Sequence, residues 1–419
     1  MFQRSVVLFF LFCLGWFVGG PCAFVSSWAA DMPVLRPEPP VDMFLLACRT
    51  GNSVAVQVLL DNTPSKLNQL FAIDSLGRRR SGLTEAAAWG HLPVVQFLLD
   101  RGADPTVAHA PDDTPLFAAV RHGHKGIVSE LLRRSENADQ FNGNAETPLF
   151  IACEQGDVDM VRLLLDAGAS LNCQRLDRAT ALFVAVFKGH EEVVRLLLER
   201  GASVRMVGHV GTAPVIAAAE YGRLEILRVL MRVGASVNVC DSRGAGPLHF
   251  AAQNGHLAVV QLLIEAGVAV DRACEKGGTS LHLAALNGHY EVVSTLLERG
   301  ACMVAVDCNG AMPLSLAAQM GRKDVVLLLL RLGAPVESSG PDRTTALYWA
   351  ACNNHVEVVR QLLAWGADVH AVSANGSTAL LAAARRGALL SVQELIAAGA
   401  KVDSVCHTRS QKHPLALTP

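Results

Sequence analysis

A glycine recurs every 33 residues through most of this chain: Gly90, Gly123, Gly156, Gly189, Gly222, Gly255, Gly288 and Gly321, with Asn354 next in phase and Gly387 after it. An eleventh unit sits around Gly51, 39 residues before Gly90, so six extra residues separate it from the second. Two more columns keep the same phase. Four residues before each loop position stands an alanine, from Ala47 and Ala86 to Ala350 and Ala383. Eight residues after it stands a leucine, from Leu59 and Leu98 to Leu362 and Leu395. A fixed alanine marks a close approach of two elements, and a fixed leucine fills the layer between them. A unit of 33 residues cannot bury its own apolar face, so neighbours must stack. The period therefore predicts one quasi-one-dimensional array rather than two or three globular domains.

Each unit reads locally as two short helices. Thr114, Thr147, Thr180, Thr279, Thr345 and Thr378 suit N-caps, and Pro115, Pro148, Pro214, Pro247 and Pro313 suit the first helical turn. The first helix ends at the loop glycine. The second, such as "YEVVSTLLER", has apolar residues at helical spacing and stops at Gly300. Between units, stretches such as "ASVNVCDSRG" and "ACMVAVDCNG" alternate and carry turn residues, which predicts short projecting β-hairpins. The expected fold is an all-α repeat solenoid of helix-turn-helix units with short β-hairpin loops. With layers ~8–10 Å apart, it would be on the order of 100 Å long. Hydrophobic residues make up 51% of the chain but aromatics only 5%, so the layers must be built from Leu, Val and Ala.

The stretches "TPLFAAVRHGH", "TPLFIACEQGD", "GPLHFAAQNGH" and "TSLHLAALNGH", each followed by a helix like "VVRLLLERGA", resemble ankyrin repeats. The likeness runs from Val41 to Asp403. It departs locally at Thr63 and Ser135, where glycine is usual, and at Asn354, which tolerates the left-handed conformation that serine accepts less well. The resemblance implies a non-catalytic protein–protein interaction scaffold. Its protein or peptide partner would lie against the hairpin tips and the concave face formed by the first helices. Carried over position by position, that face is the pair of residues before each loop glycine. The candidate contact residues are Trp89, Arg121, His122, Phe187, Lys188, Tyr221, Asn254, Leu286, Asn287, Met320, Asn353 and Arg386. Aromatics and arginine are the usual interface anchors, which singles out Trp89, Phe187 and Tyr221. Trp349 stands where sister units have Leu283, Phe250 and Val184, and is expected in the core.

Catalytic and metal chemistry fit poorly. His282 and His289 look like a pair, repeated as His249 and His256. Yet sister units place Phe117, Phe150 or Phe183 at the first position, and Asp157, Arg223 or Ala388 at the second. A site requiring nitrogen could not be filled by phenylalanine, so both histidines read as structural. The eleven cysteines show no C-x-x-C spacing. Cys48 and Cys153 read as small core residues, while a bridge between Cys302 and Cys308 within one hairpin stays open. "GRRRSG", from Gly77 to Gly82, reads as a solvated basic turn. No cofactor and no metal is expected. With 36 basic and 38 acidic residues, no net field favours nucleic acid.

The first thirty residues differ from the rest. Residues 5–30 carry no charge, Arg4 supplies a basic flank, and small residues follow at Ser26, Ser27, Ala29 and Ala30. The pattern predicts a cleaved secretory signal; an uncleaved signal anchor, giving membrane association through residues 5–30, is the second reading. A cytoplasmic protein is the alternative. A Pro-rich linker occupies residues 31–40, the repeats 41–403, and a short tail 404–419. Two other functions stay open: the recognition arm of an enzyme complex, such as a kinase or ubiquitin ligase, and a membrane-tethered platform. Asn375-Gly376-Ser377 is an N-glycosylation sequon that also reads as an ordinary Asn-Gly turn.

Overall fold

The computed structural model describes residues 42–72, 79–107, 114–135, 137–208, 211–337 and 342–402. The leader, the Pro-rich linker, the tail and part of the basic turn at Gly77 lie outside them. The described residues hold 22 α-helices, in eleven antiparallel pairs. The sixth unit is typical, pairing Pro214–Glu220 with Leu224–Arg232. Each first helix packs against the first helix of the next unit more closely than the second helices pack against each other. The alanine column explains this asymmetry. All eleven alanines are buried in the first-helix layer, where only a methyl group separates the backbones. The second helices carry the leucine column instead, buried from Leu98 and Leu131 through Leu395 and partly exposed at Leu59. Thin inner and thick outer layers bend the stack, with the first helices on the inside.

Helix ends follow local chemistry. The hydroxyls of Thr114, Thr147, Thr180, Thr345 and Thr378 each accept from the backbone N–H three residues on. Asn354 adopts φ 59°, so asparagine does take the glycine's place, and its Oδ1 accepts from Ser391 N–H in the next unit at 3.2 Å. Where Ser135 replaces glycine, the second helix runs on to that residue and has 11 residues instead of 9. Without a residue suited to the left-handed conformation the last turn is not closed early.

The projecting β-hairpins are corrected to tight turns. Among the described residues the one β-ladder pairs Phe71–Ala72 with Arg79–Arg80, in the connection between the first two units that is six residues longer than the others. Elsewhere only the isolated bridges Gln174↔Thr180 and Val372↔Thr378 form. The reason lies in the loop side chains. Asp241 Oδ1 accepts from the N–H groups of Arg243 and Ala245, and Asp307 Oδ1 from those of Asn309 and Ala311. Such carboxylate-capped turns satisfy the donors that a ladder would have used. The tips join sideways instead: Glu275 N–H donates to Arg243 O, and Cys308 N–H to Lys276 O at 2.8 Å.

Candidate functional site

The residues before the loop glycines line the inner face, and they are not equally available. Trp89, Arg121, His122, Phe187, Lys188, Tyr221, Asn254, Met320 and Arg386 are exposed, whereas Leu286, Asn287 and Asn353 are half-buried. Several polar members hold neighbouring units together. Asn254 Nδ2 donates to Glu220 O and Asn353 Nδ2 to Gln319 O, each in the preceding unit, while Asn287 Nδ2 bonds Leu283 O in its own helix. Lys188 pairs with Glu154 at 3.1 Å and lies 5.8 Å from the Phe187 ring centre.

The exposed aromatics form two separate patches. Phe187 and Tyr221, from adjacent units, meet edge to face with centroids 4.8 Å apart. Trp89 lies four units before Tyr221 and belongs to a different cluster. Its indole Nε1–H donates to Glu85 Oε1 at 3.0 Å, and the same oxygen accepts from Arg49 Nε at 2.7 Å. Arg80, just before the N-cap Ser81, reaches Glu85 Oε2 at 3.4 Å. The Arg49 guanidinium carbon sits 5.8 Å from the Trp89 ring centre. Glu85 is 1% exposed, yet Trp89 is 56% exposed, so a buried carboxylate orients a presented ring. Beside this cluster, burial and the neighbouring His124, Arg80 and Arg121 push the His122 imidazole down in pKa.

Sequence reasoning missed Glu85, although the signal was available. Its ten sister positions are Leu46, Ala118, Ile151, Val184, Ala217, Phe250, Leu283, Leu316, Trp349 and Ala382, all apolar. Trp349, expected in the core, is instead half-buried. It meets Tyr348 edge to face at 5.7 Å and lines a groove of about 320 Å³ with Gln319, Asp307 and Asp342. An indole is too large for the layer that admits Val184 at the same register.

The paired histidines separate into two structural roles. The first helix of their unit is Ser280–Asn287 and the second is Tyr290–Glu298, so they share no helix. His282 Nδ1 accepts from Thr279 N–H at 3.2 Å, capping the first helix, and its Nε2 lies 3.1 Å from Ala311 O in the next unit. His289 Nε2 lies 2.9 Å from Gln253 O in the preceding unit. His91, His124, His190, His256 and His355 make the same link to Arg49, Ala88, Glu154, Glu220 and Gln319. Arg223 and Arg322 make it where arginine takes the position. Histidine or arginine after the loop glycine thus makes a repeated bond between units, one that Asp157 and Ala388 do not make.

Burial lowers the pKa of both His249 and His282 below the ordinary 6.5. A lowered imidazole binds its proton less readily folded than unfolded. Their contribution to stability is therefore complete above pH 6.5 and declines as pH falls through that value toward the folded pKa. His249→Phe with His282→Phe, adopting the sister residue, should change stability at pH 7.5 by no more than about 1–2 kcal/mol. Between pH 7.5 and pH 5 its melting temperature should fall less than that of the unaltered protein. Equal falls would show that these imidazoles do not set the acid sensitivity.

Among the described residues, no group of three His, Cys, Asp or Glu side chains could hold a metal. Cys302 and Cys308 are free thiols, so the bridge left open between them does not form. Burial pushes the Cys48 thiol up to about 12, and Cys153 is raised by the same cause.

Family models for ankyrin repeats match in overlapping blocks, residues 83–175, 116–208, 167–241, 215–307, 248–339 and 314–406, together spanning 83–406. The chain belongs to the ankyrin-repeat family. Only ankyrin repeats are matched, and this array is a module of the kind that generally binds protein. Comparison with curated proteins gave no match. The ankyrin unit around Gly51 precedes the matched span, yet its helices Met43–Thr50 and Ser53–Asn62 stack on the second unit in the repeat geometry.

Proposed function

We propose that this ankyrin array is a non-catalytic scaffold that binds a protein or peptide partner on its inner face and loop tips. The observation that carries this reading is the exposure of Trp89, Phe187 and Tyr221 on the inner helices of a chain with only 5% aromatics. The scaffold fixes where binding happens, and the side chains on it decide what is bound. Trp89→Ala combined with Tyr221→Ala is expected to reduce partner capture by tenfold or more while the helical circular-dichroism signal stays intact. Proximity labelling from a C-terminal tag supplies the partners to be captured. Undiminished capture by the double variant would rule out the N-terminal half of the inner face.

Residues 5–30 support a secretory or membrane-anchored location for the scaffold, with the recognition module held at the membrane or released beyond it. Asn375 is exposed in its turn, and Gly376 has the positive φ of an Asn-Gly corner. A glycan on Asn375 in the expressed protein would establish entry into the lumen. Proximity labelling confined to cytoplasmic neighbours would instead favour the cytoplasmic reading.

A further inference from the structure

Among the described residues, the Glu85 cluster is the one place where a buried charge occupies a position that is apolar in every sister unit. Stability does not account for it, because a buried ion pair is often no better than the apolar residues that could replace it. What the carboxylate does is hold other groups. It ties the Trp89 indole, the Arg49 guanidinium and the Arg80 guanidinium into one constellation at 3.0, 2.7 and 3.4 Å. Arg80 arrives there from the strand that precedes the second unit's first helix. Arg121 stands exposed on the neighbouring inner helix. The guanidinium groups of Arg49 and Arg80 therefore share one carboxylate beside a ring that is more than half exposed, in a chain whose formal net charge is −2.

We propose that this cluster is a docking site for a short acidic peptide segment, with an apolar side chain on Trp89 and flanking carboxylates on Arg49 and Arg121. The proposal rests on the scaffold reading above and specifies its partner. Charge complementarity selects the occupant: guanidinium forks match carboxylates in a bidentate manner, and the fixed indole supplies a rigid apolar anchor with little ordering entropy left to lose. The patch is short. The next inner-face positions bring Glu154 and, farther along, Glu220, which would repel an extended polyanion. A short carboxylate-bearing segment avoids them.

The test is selection of random displayed peptides on the purified full chain, repeated on Arg121→Glu, on Arg49→Gln with Arg121→Glu, and on Phe187→Ala with Tyr221→Ala. Enriched sequences should combine acidic residues with a large apolar one. Their recovery should fall at least about tenfold on both arginine variants and persist on the Phe187/Tyr221 variant. Arg121→Glu alters an exposed side chain, so its helical signal and melting temperature should stay unchanged, and a loss there reports binding. Enrichment of neutral or basic sequences, no enrichment, or full recovery on Arg121→Glu would overturn the proposal. So would a single-stranded oligonucleotide that displaces the selected peptides and itself loses affinity on Arg121→Glu, because phosphates would then be the occupant. Peptides lost only on the Phe187/Tyr221 variant would overturn this inference and leave the scaffold reading standing.

Discussion

Leu230→Ala is expected to destabilise the array by about 3 kcal/mol and to replace one cooperative melting transition with two. Leu230 is fully buried in the sixth of eleven units. Its side chain fills the layer between neighbouring second helices, and truncation leaves a cavity that the flanking helices cannot close. In a linear array each unit contacts only its neighbours, so weakening one interface uncouples the parts on either side. Five units remain on each side here, more than the three that a stable array needs. Both halves should therefore keep their helices and melt separately in differential scanning calorimetry. Leu395→Ala, equally buried but in the last unit, should fray only that end and leave the main transition whole. A single transition at unchanged temperature for Leu230→Ala would contradict nearest-neighbour stacking as the source of stability.

The elements were legible because the constraints that form them repeat. The alanine and leucine columns mark close approach and layer filling in every unit, and comparing eleven copies separates a requirement from an accident. The same comparison judged the histidines, since phenylalanine at the His282 position excludes a ligand there. What it missed depends on interactions between units. The link from His289 to Gln253 O joins residues 36 apart, so no single repeat displays both ends. The loops look like hairpins because their residues alternate, but alternation does not reveal that Asp241 and Asp307 will satisfy the turn donors. For the candidate site the repeats gave position without environment. They placed Trp89 and Tyr221 on one face, while in the fold Trp89 belongs with Glu85 and Arg49, and Tyr221 with Phe187. The charged cluster joins Arg49 of one unit to Glu85 and Arg80 of the next, so no single repeat displays it.

Gly255→Ala and Gly123→Ala alter the same repeat position and should differ widely in cost. Both glycines are left-handed, with φ 75° and 76°. An added methyl group therefore costs each about 1–2 kcal/mol in backbone strain. Beyond that, the surroundings diverge. A Cβ on Gly255 would stand 2.5 Å from His289 Nδ1, whereas one on Gly123 would meet nothing within 4 Å. The difference follows from the next unit's loop residue, which is His289 in one case and Asp157 in the other. Asp157 turns to its own helix and accepts from Met160 N–H at 3.0 Å. Gly255→Ala must displace the His289 ring and break its bond to Gln253 O, adding about 1–3 kcal/mol. Denaturant midpoints of the two variants measure that excess. Repeating Gly255→Ala in a His289→Ala background closes a double-mutant cycle, in which the excess should vanish because the ring it collides with is gone. An excess that survives without the ring would place the cost in the loop backbone. The glycine would then be retained for its own conformation and not for the histidine packed against it.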